Sequence, residues 1–458
     1  MPDPMGDDIA ARKIALDMLN HLARSDDLLD AVLEKFAGAQ ADLSPEDRRL
    51  VNALVFGVLR WRRRLDWLIK KHANLPPAKI SPEIRNILRI ALFQVFCLDR
   101  VPDFAAVNTA VEMAKRFVSV KASRFVNGLL RNTLRNRPAD MDSILPADPV
   151  SALAIAHSFP DWLIHRWVGR YGLDETRRLC DAMNQIPALT VRTNTLKTSR
   201  DELWARLSGL CENILETEYA PAGLSFVGPA APIDQMTPFQ AGLFTVQDEA
   251  AQVVTHLLCP KPDETILDAC AGLGGKTGHI AQLMGNSGRI FAVDKDQQKL
   301  SRLTDDMARL GIANVTILPV DLDNPDWQQL DPCFDRILLD APCSGIGVIR
   351  RNPDIKWAAH KKDMARFADR QLRYLHEVSQ WVAPAGILVY AVCTIEPEET
   401  DHVIEQFLKT HSQFELVTDA SDLSGKIQHI IDANGFFRSL PHIHGMDGFF
   451  AARLKRRS

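Results

Sequence analysis

No stretch of the chain approaches the roughly 18 consecutive apolar residues of a membrane helix. The longest apolar runs, such as Ile90–Phe96, have the length of core elements. The amino terminus, MPDPMGDDIAARK, places acid before base and has no apolar segment, so no secretory signal is expected. The eight cysteines form no CxxC pair and are too sparse for a disulfide scaffold. Reduced thiols and a cytoplasmic location are the expectation. Internal repeats and low-complexity tracts are also missing, which excludes solenoids and fibrous architectures.

What is present is ordinary in bulk and uneven in distribution. Hydrophobic residues make up 46% and charged residues 24% of 458 residues, the profile of a folded globular protein of about three domains. The net charge of −4 hides a basic block. Residues 51–140 hold 17 Lys and Arg against 6 Asp and Glu, a local +11, so the other 368 residues sum to −15. Such a block is a candidate footprint for a polyanion, although a solvated helix face would give the same count. The run WRRRLDWLIKKH interleaves Trp61 and Trp67 with base, and Lys115, Arg116, Lys121, Arg124, Arg131 and Arg135 follow. This pattern favours RNA contact.

Residues 8–137 read as successive helices. Ile14, Leu16, Leu19 and Leu22 recur at helical spacing, and Asn52 to Lys70 is amphipathic. Ser44-Pro45-Glu46 and Ser81-Pro82-Glu83 are helix starts, with serine as N-cap and proline in the first turn. An all-α domain over 1–140 is expected. A proline-rich linker around Pro138, Pro146 and Pro149 leads to a small α/β unit over 150–245, with a strand at Ala188–Leu196. From 246 to 458 strands alternate with helices: Thr265–Cys270, Gly288–Asp294, Asn314–Val320, Phe334–Pro342 and Gly386–Cys393. Their near-continuous Ile, Leu and Val content predicts a doubly wound parallel sheet of Rossmann-like type.

The chemistry-bearing residues fall at the ends of these strands. The first runs into Asp268-Ala-Cys270-Ala271-Gly272-Leu273-Gly274-Gly275-Lys276, a glycine-rich turn opening directly into a helix. Such a turn admits a ligand close to backbone, although a tight turn alone would look the same. The second strand ends at Asp294, where an acid suits ribose hydroxyls, and the third at Asp321, within reach of an adenine amino group. A nucleoside cofactor site is therefore expected. The fourth and fifth strands end at Asp340-Ala-Pro-Cys343 and Val392-Cys393-Thr394. Two cysteines beside an acid, in turn-forming sequence, fit buried structural thiols poorly. That bland reading suits Cys97, Cys180, Cys211, Cys259 and Cys333 better. Arg350, Arg351 and Lys356 could grip phosphates or belong to a solvated loop, Trp357 reads as packing, and His442, His444 and Asp447 are too weak a pattern for a metal.

The motifs DACAGLGGKT, DAPCSGIGVIRRNPDIKW, AVCTIEPEE and LPHIHGMDGFFAARL together resemble the RNA cytosine carbon-5 methyltransferases of the Sun/Fmu type. The helical front, with Leu43-Ser-Pro-Glu-Asp-Arg-Arg49, Gly57-Val-Leu-Arg60 and Val107-Asn108, resembles the NusB fold that marks the bacterial subgroup acting on small-subunit rRNA. Arg192-Thr-Asn194 and Gln247-Asp248-Glu extend the resemblance over nearly the whole chain. The family's usual Ala-Ala-Pro-Gly-Gly turn reads Ala271-Gly272-Leu273-Gly274-Gly275 here, and its Thr-Cys-Ser reads Val392-Cys393-Thr394.

The resemblance implies methyl transfer from S-adenosylmethionine to carbon 5 of a cytosine in 16S rRNA. It implies Cys393 as nucleophile at carbon 6, Cys343 in release, Asp340 on the base edge and Lys276 in the pocket. The cofactor would lie against Cys270 to Lys276, Asp294, Asp321 and Asp340. A monomer that takes rRNA before full ribosome assembly, with no metal, is the expectation. A tRNA target, a non-catalytic RNA scaffold and a small-molecule methyltransferase are the alternatives. The paired thiols argue against a scaffold, and the basic block against a small substrate.

Overall fold

The Ser44 hydroxyl accepts the Asp47 amide at 3.0 Å and so opens the helix Pro45–His72. Ser81 caps Pro82–Cys97 through the Ile84 amide. Each cap satisfies a donor the helix cannot, and contributes about 1 kcal/mol. The computed structural model describes residues 7–73, 75, 79–138, 140–327 and 333–458. Chain contacts divide it into two units: Met1–Gln185 with Ile349–Lys361, and Ile186–Val348 with Lys362–Ser458.

The first unit is helical among the described residues. Asp7–Leu22, Pro45–His72, Pro82–Cys97, Asp103–Phe117 and Val120–Arg135 pack Leu16, Leu54, Val58, Leu88, Met113 and Val126 into one core. Pro149–Ala156, Asp161–Tyr171 and Leu173–Asn184 follow. Arg60 and Arg89 of the basic block are buried, whereas Lys115, Arg116, Lys121, Arg124, Arg131 and Arg135 are exposed.

The inserted segment Ile349–Lys361 corrects an expectation. Lys356 is only 1% exposed, and its ammonium donates to the Arg60 carbonyl (3.1 Å), the Ser158 carbonyl (3.2 Å) and Asn184 Oδ1 (2.6 Å). All three N–H groups thus have acceptors, as an ammonium removed from water requires. Burial pushes its pKa well below the usual lysine range. Arg350 is buried as well, and its carbonyl accepts from Arg60 Nη2 at 2.7 Å. Neither side chain is available to a phosphate. Trp357 packs on the helical core and donates to the Leu59 carbonyl at 2.7 Å, as expected.

The second unit holds two sheets. Strands β1 (Leu189–Thr193), β2 (Glu212–Glu216), β3 (Gly223–Val227) and β4 (Phe244–Val246) form an antiparallel sheet in the order β2-β3-β1-β4. The second sheet contains β5 (Thr265–Ala269), β6 (Arg289–Asp294), β7 (Val315–Pro319), β8 (Phe334–Asp340) and β9 (Val382–Val392), all parallel. Beyond β9 lie β10 (Phe414–Leu416), β11 (Phe436–Ser439) and β12 (Phe449–Arg456), with β12 antiparallel to β9, β10 and β11. The order is β10-β12-β9-β8-β5-β6-β7, with β11 on β12. The sheet is therefore mixed rather than wholly parallel. Ile266, Leu338 and Val389 face one core while Leu267, Ile337 and Leu388 face the other, which is why these strands read as continuous apolar runs.

Candidate active site

All five parallel strands end on the same side of the sheet, so the turns after β5, β6, β7, β8 and β9 form one rim. After β5 the backbone turns sharply. Cys270, Gly272 and Gly274 have φ of 65°, 56° and 83°, and the helix Gly275–Leu283 begins at once. A Cβ on Gly274 would lie 2.6 Å from Leu303 Cγ, so conformation and space both require glycine there. A Cβ on Gly272 would meet nothing within 4 Å, and Leu273 is exposed, so this side of the turn is open.

Asp294, at the tip of β6, holds the turn: Oδ2 accepts the Gly272 amide and Oδ1 the Asp296 amide, both at 2.9 Å. Asp321 is exposed beyond β7 and accepts the Asp323 amide at 3.0 Å. Buried Asp268 accepts the Thr277 hydroxyl at 2.6 Å, while its Oδ1 has no partner. Burial, opposed by that hydrogen bond, raises its pKa to about 7. Burial and the carboxylates of Asp294, Asp340 and Asp268 push the Cys270 thiol well up. An open glycine turn at a helix N-terminus, acids on successive strand tips and one orphaned buried oxygen are a donor and acceptor set that fits a nucleoside carrying a cationic sulfur.

Cys343 and Cys393, following β8 and β9, come together with their sulfurs 3.3 Å apart. The hydrogen bond to Cys393, burial and the negative charge of Cys393 and Glu399 push the Cys343 thiol well above the usual range. Lys276 reaches Asp340 with Nζ–Oδ2 of 2.5 Å and lies 5.5 Å over the Phe449 ring. Burial opposes its charge, but Asp340 outweighs it through charge and hydrogen bond, and Cys393 acts in the same direction, so the pKa is raised.

The structure thus brings Cys270 to Lys276, Asp294, Asp340, Cys343 and Cys393 to the rim, and leaves Asp321 at its outer end. Of the cysteines read as buried structural thiols, Cys180 is buried, Cys211 and Cys259 are partly so, and Cys97 and Cys333 are exposed. Three further residues, Arg192, Gly347 and Gly448, support the rim through partners distant in sequence, which their motifs alone do not reveal. Arg192 on β1 is wholly buried, donates to the Gly275 carbonyl at 2.7 Å and Gln282 Oε1 at 2.9 Å, and also bonds Gln247. Burial lowers its pKa to about 9. Gly347 and Gly448 interlock: Gly347 donates to the Cys393 carbonyl at 3.0 Å and accepts from Gly448 at 2.9 Å. A Cβ on Gly347 would fall 1.8 Å from the Gly448 oxygen.

Comparison with known proteins agrees with this layout. Residues 255–455 match the family described as 16S rRNA methyltransferase RsmB/F, residues 9–135 the NusB family, and residues 159–233 the ferredoxin-like domain of RsmF/B-like methyltransferases. The fold is thus a NusB helical domain, a ferredoxin-like domain and a Rossmann-like methyltransferase domain. The chain is 39% identical over 451 residues to a probable ribosomal RNA small subunit methyltransferase B of Synechocystis, covering 98% of this chain and all of that one. It is 34% identical to the Bacillus subtilis protein of the same name, covering 98% and 99%. Among solved structures, PH0851 superposes with a TM-score of 0.81 at 27% identity, covering 99% of this chain and all of that one. A methyltransferase homolog from Pyrococcus horikoshii gives 0.57 at 28%, covering 68% and 100%. The chain belongs to the 16S rRNA methyltransferase RsmB/F family.

Proposed function

We propose that the protein transfers a methyl group from S-adenosylmethionine to carbon 5 of a cytosine in 16S rRNA, through a covalent adduct of Cys393 at carbon 6. The observation that carries this reading is the pair of sulfurs 3.3 Å apart, with the Lys276–Asp340 ion pair on the same rim. The family membership and the names of the relatives support rRNA as the substrate class. The turn Cys270–Lys276 with Asp294, Asp321 and Asp340 would hold S-adenosylmethionine, which would supply an electrophilic methyl and be left as the thioether.

The protein's own residues do the rest. Carbon 5 of cytosine is a weak nucleophile. Addition of the Cys393 thiolate at carbon 6 opens the 5,6 double bond and places electron density on carbon 5, dividing one hard step into easier ones. Asp340 engages the polar edge of the base. The hydrogen bond to Cys393 and burial keep the Cys343 thiol protonated, with a proton to give. After transfer, Cys343 gives its proton to the departing Cys393 sulfur and takes the carbon-5 proton. The carbon–sulfur bond breaks, the double bond re-forms, and one proton is lost when the Cys393 thiolate is restored. The base reaches the rim unstacked.

Residues 1–140, as a NusB-like domain, and 150–245 hold the RNA, and 246–458 perform the chemistry. The protein acts in the cytoplasm, as a monomer, on rRNA before full assembly. Among the described residues no helix is long and apolar enough to cross a membrane. Bisulfite sequencing of small-subunit rRNA from a deletion strain tests the reading. One cytosine that loses protection and regains it with the wild-type gene is expected; an unchanged pattern contradicts it.

A further inference from the structure

Glu399 follows Cys393 by six residues, ends the short helix Pro397–Glu399, and is fully buried. No ion pair reaches it among the described residues, so hydrogen bonds must offset its desolvation. Its Oε2 accepts the Ser344 amide at 2.8 Å and Gln371 Nε2 at 3.0 Å, and its Oε1 accepts the Thr394 hydroxyl at 3.3 Å. Ser344 and Thr394 are the residues directly after Cys343 and Cys393, and their hydroxyls lie 3.0 Å apart. Gln371 Nε2 also donates to the carbonyl of Pro342, directly before Cys343, at 3.0 Å. Tyr390 braces the arrangement from behind, its one hydroxyl proton facing both the Glu399 carbonyl at 2.7 Å and Gln371 Oε1 at 3.0 Å.

We propose that Glu399 is a positioning residue: its carboxylate brackets the two cysteine-bearing turns and holds the sulfurs at the separation that lets a proton pass between them. The two turns belong to different strands and are joined through side chains by the sulfur contact and the hydroxyl pair. The carboxylate spans both at once. This inference rests on the two-thiol reading, but it concerns spacing and can be tested without RNA or cofactor.

The measurement is the rate at which diamide joins Cys343 to Cys393 in the full-length protein. Diamide takes two electrons and two protons from the thiols and becomes the hydrazine. The disulfide is followed by peptide mapping, alongside kcat and KM for methyl transfer. In Glu399→Leu the bracket is lost. Disulfide formation should slow at least about tenfold and kcat should fall about a hundredfold with KM unchanged, the size of effect a 1 Å misplacement produces. Glu399→Gln keeps an acceptor for Ser344 and can donate to Thr394, so both rates should stay within about threefold of wild type, as for any preserved geometry. Oxidation of Glu399→Leu at the wild-type rate, or Glu399→Gln as slow as Glu399→Leu, would overturn the proposal. Should Glu399→Leu fail to fold, Thr394→Val removes one arm at little change in volume. Slowed oxidation then supports the bracket and an unchanged rate refutes it. Slow oxidation of Glu399→Leu in a protein that methylates nothing would keep the positioning role and reject only the reaction.

Discussion

Asp294 serves two purposes with one carboxylate. It fixes the glycine turn through the Gly272 amide, and its remaining lone pairs stay available at the tip of β6. Replacing it with alanine orphans that amide, and calorimetry should show S-adenosylmethionine binding weakened by about 1–3 kcal/mol. Unchanged affinity would remove Asp294 from the cofactor site. Lys356 poses the opposite problem, an amine whose hydrogen bonds the fold rather than a ligand uses. Lys356→Met leaves the Arg60 and Ser158 carbonyls and the Asn184 amide oxygen without their donor, and urea titration should register a loss of roughly 3 kcal/mol, on the scale of 1–3 per orphaned group. At this scale the sequence was legible where chemistry and chain position coincide. Cys343, Cys393 and Lys276 follow strands that could be read directly. It was not legible where a role depends on distant partners. Lys356 bonds residues 296 and 198 positions away, and Glu399 one 55 positions away, so both pass for surface charge.

Two helices flanking the sheet carry a titration that composition conceals. His256 in Glu249–Leu258 and His279 in Gly275–Leu283 meet edge to face, with ring centroids 5.0 Å apart. Burial, aided by the Arg192 charge, pushes His256 down to about 4, and the same causes push His279 well below 6.5. Both are therefore neutral in the folded protein while the unfolded chain takes up protons below pH 6.5. Their contribution is fully present above that value and is lost as pH falls towards the folded pKa. For His256 the loss at pH 5 should be roughly 2 kcal/mol, at about 1.4 kcal/mol per pH unit. Urea midpoints at pH 7.5 and pH 5 should differ less in His256→Phe than in wild type; equal differences would contradict the assignment. Strands β5, β6, β8 and β9 were legible because burial on both faces leaves uninterrupted apolar runs. The antiparallel strands β10 and β11, at three and four residues, are too short to show a period. In β12, Phe449 to Ala452 are buried on both faces while Lys455 is exposed, so no alternation marks it.

For the whole molecule, the exposed cations of the helical unit and the thiol pair make separable claims. Deleting residues 1–140 would not test RNA binding cleanly, because Arg60 supplies an acceptor to buried Lys356. Replacing Lys115, Arg116, Lys121 and Arg124 with glutamine leaves that core intact. It should lower the salt dependence of RNA affinity by about 0.7 per lost phosphate contact, without altering cofactor binding. An unchanged slope would mean that these residues are only a solvated face. The assignment of the two cysteines is tested most directly by incubating Cys343→Ala and Cys393→Ala variants with substrate rRNA and S-adenosylmethionine, then resolving them by denaturing electrophoresis. Each change removes little volume, so the fold should persist. Cys343→Ala should add to the base and methylate it but fail to release, accumulating a protein–RNA band, while Cys393→Ala should show neither band nor turnover. A band with Cys393→Ala and none with Cys343→Ala would contradict the account.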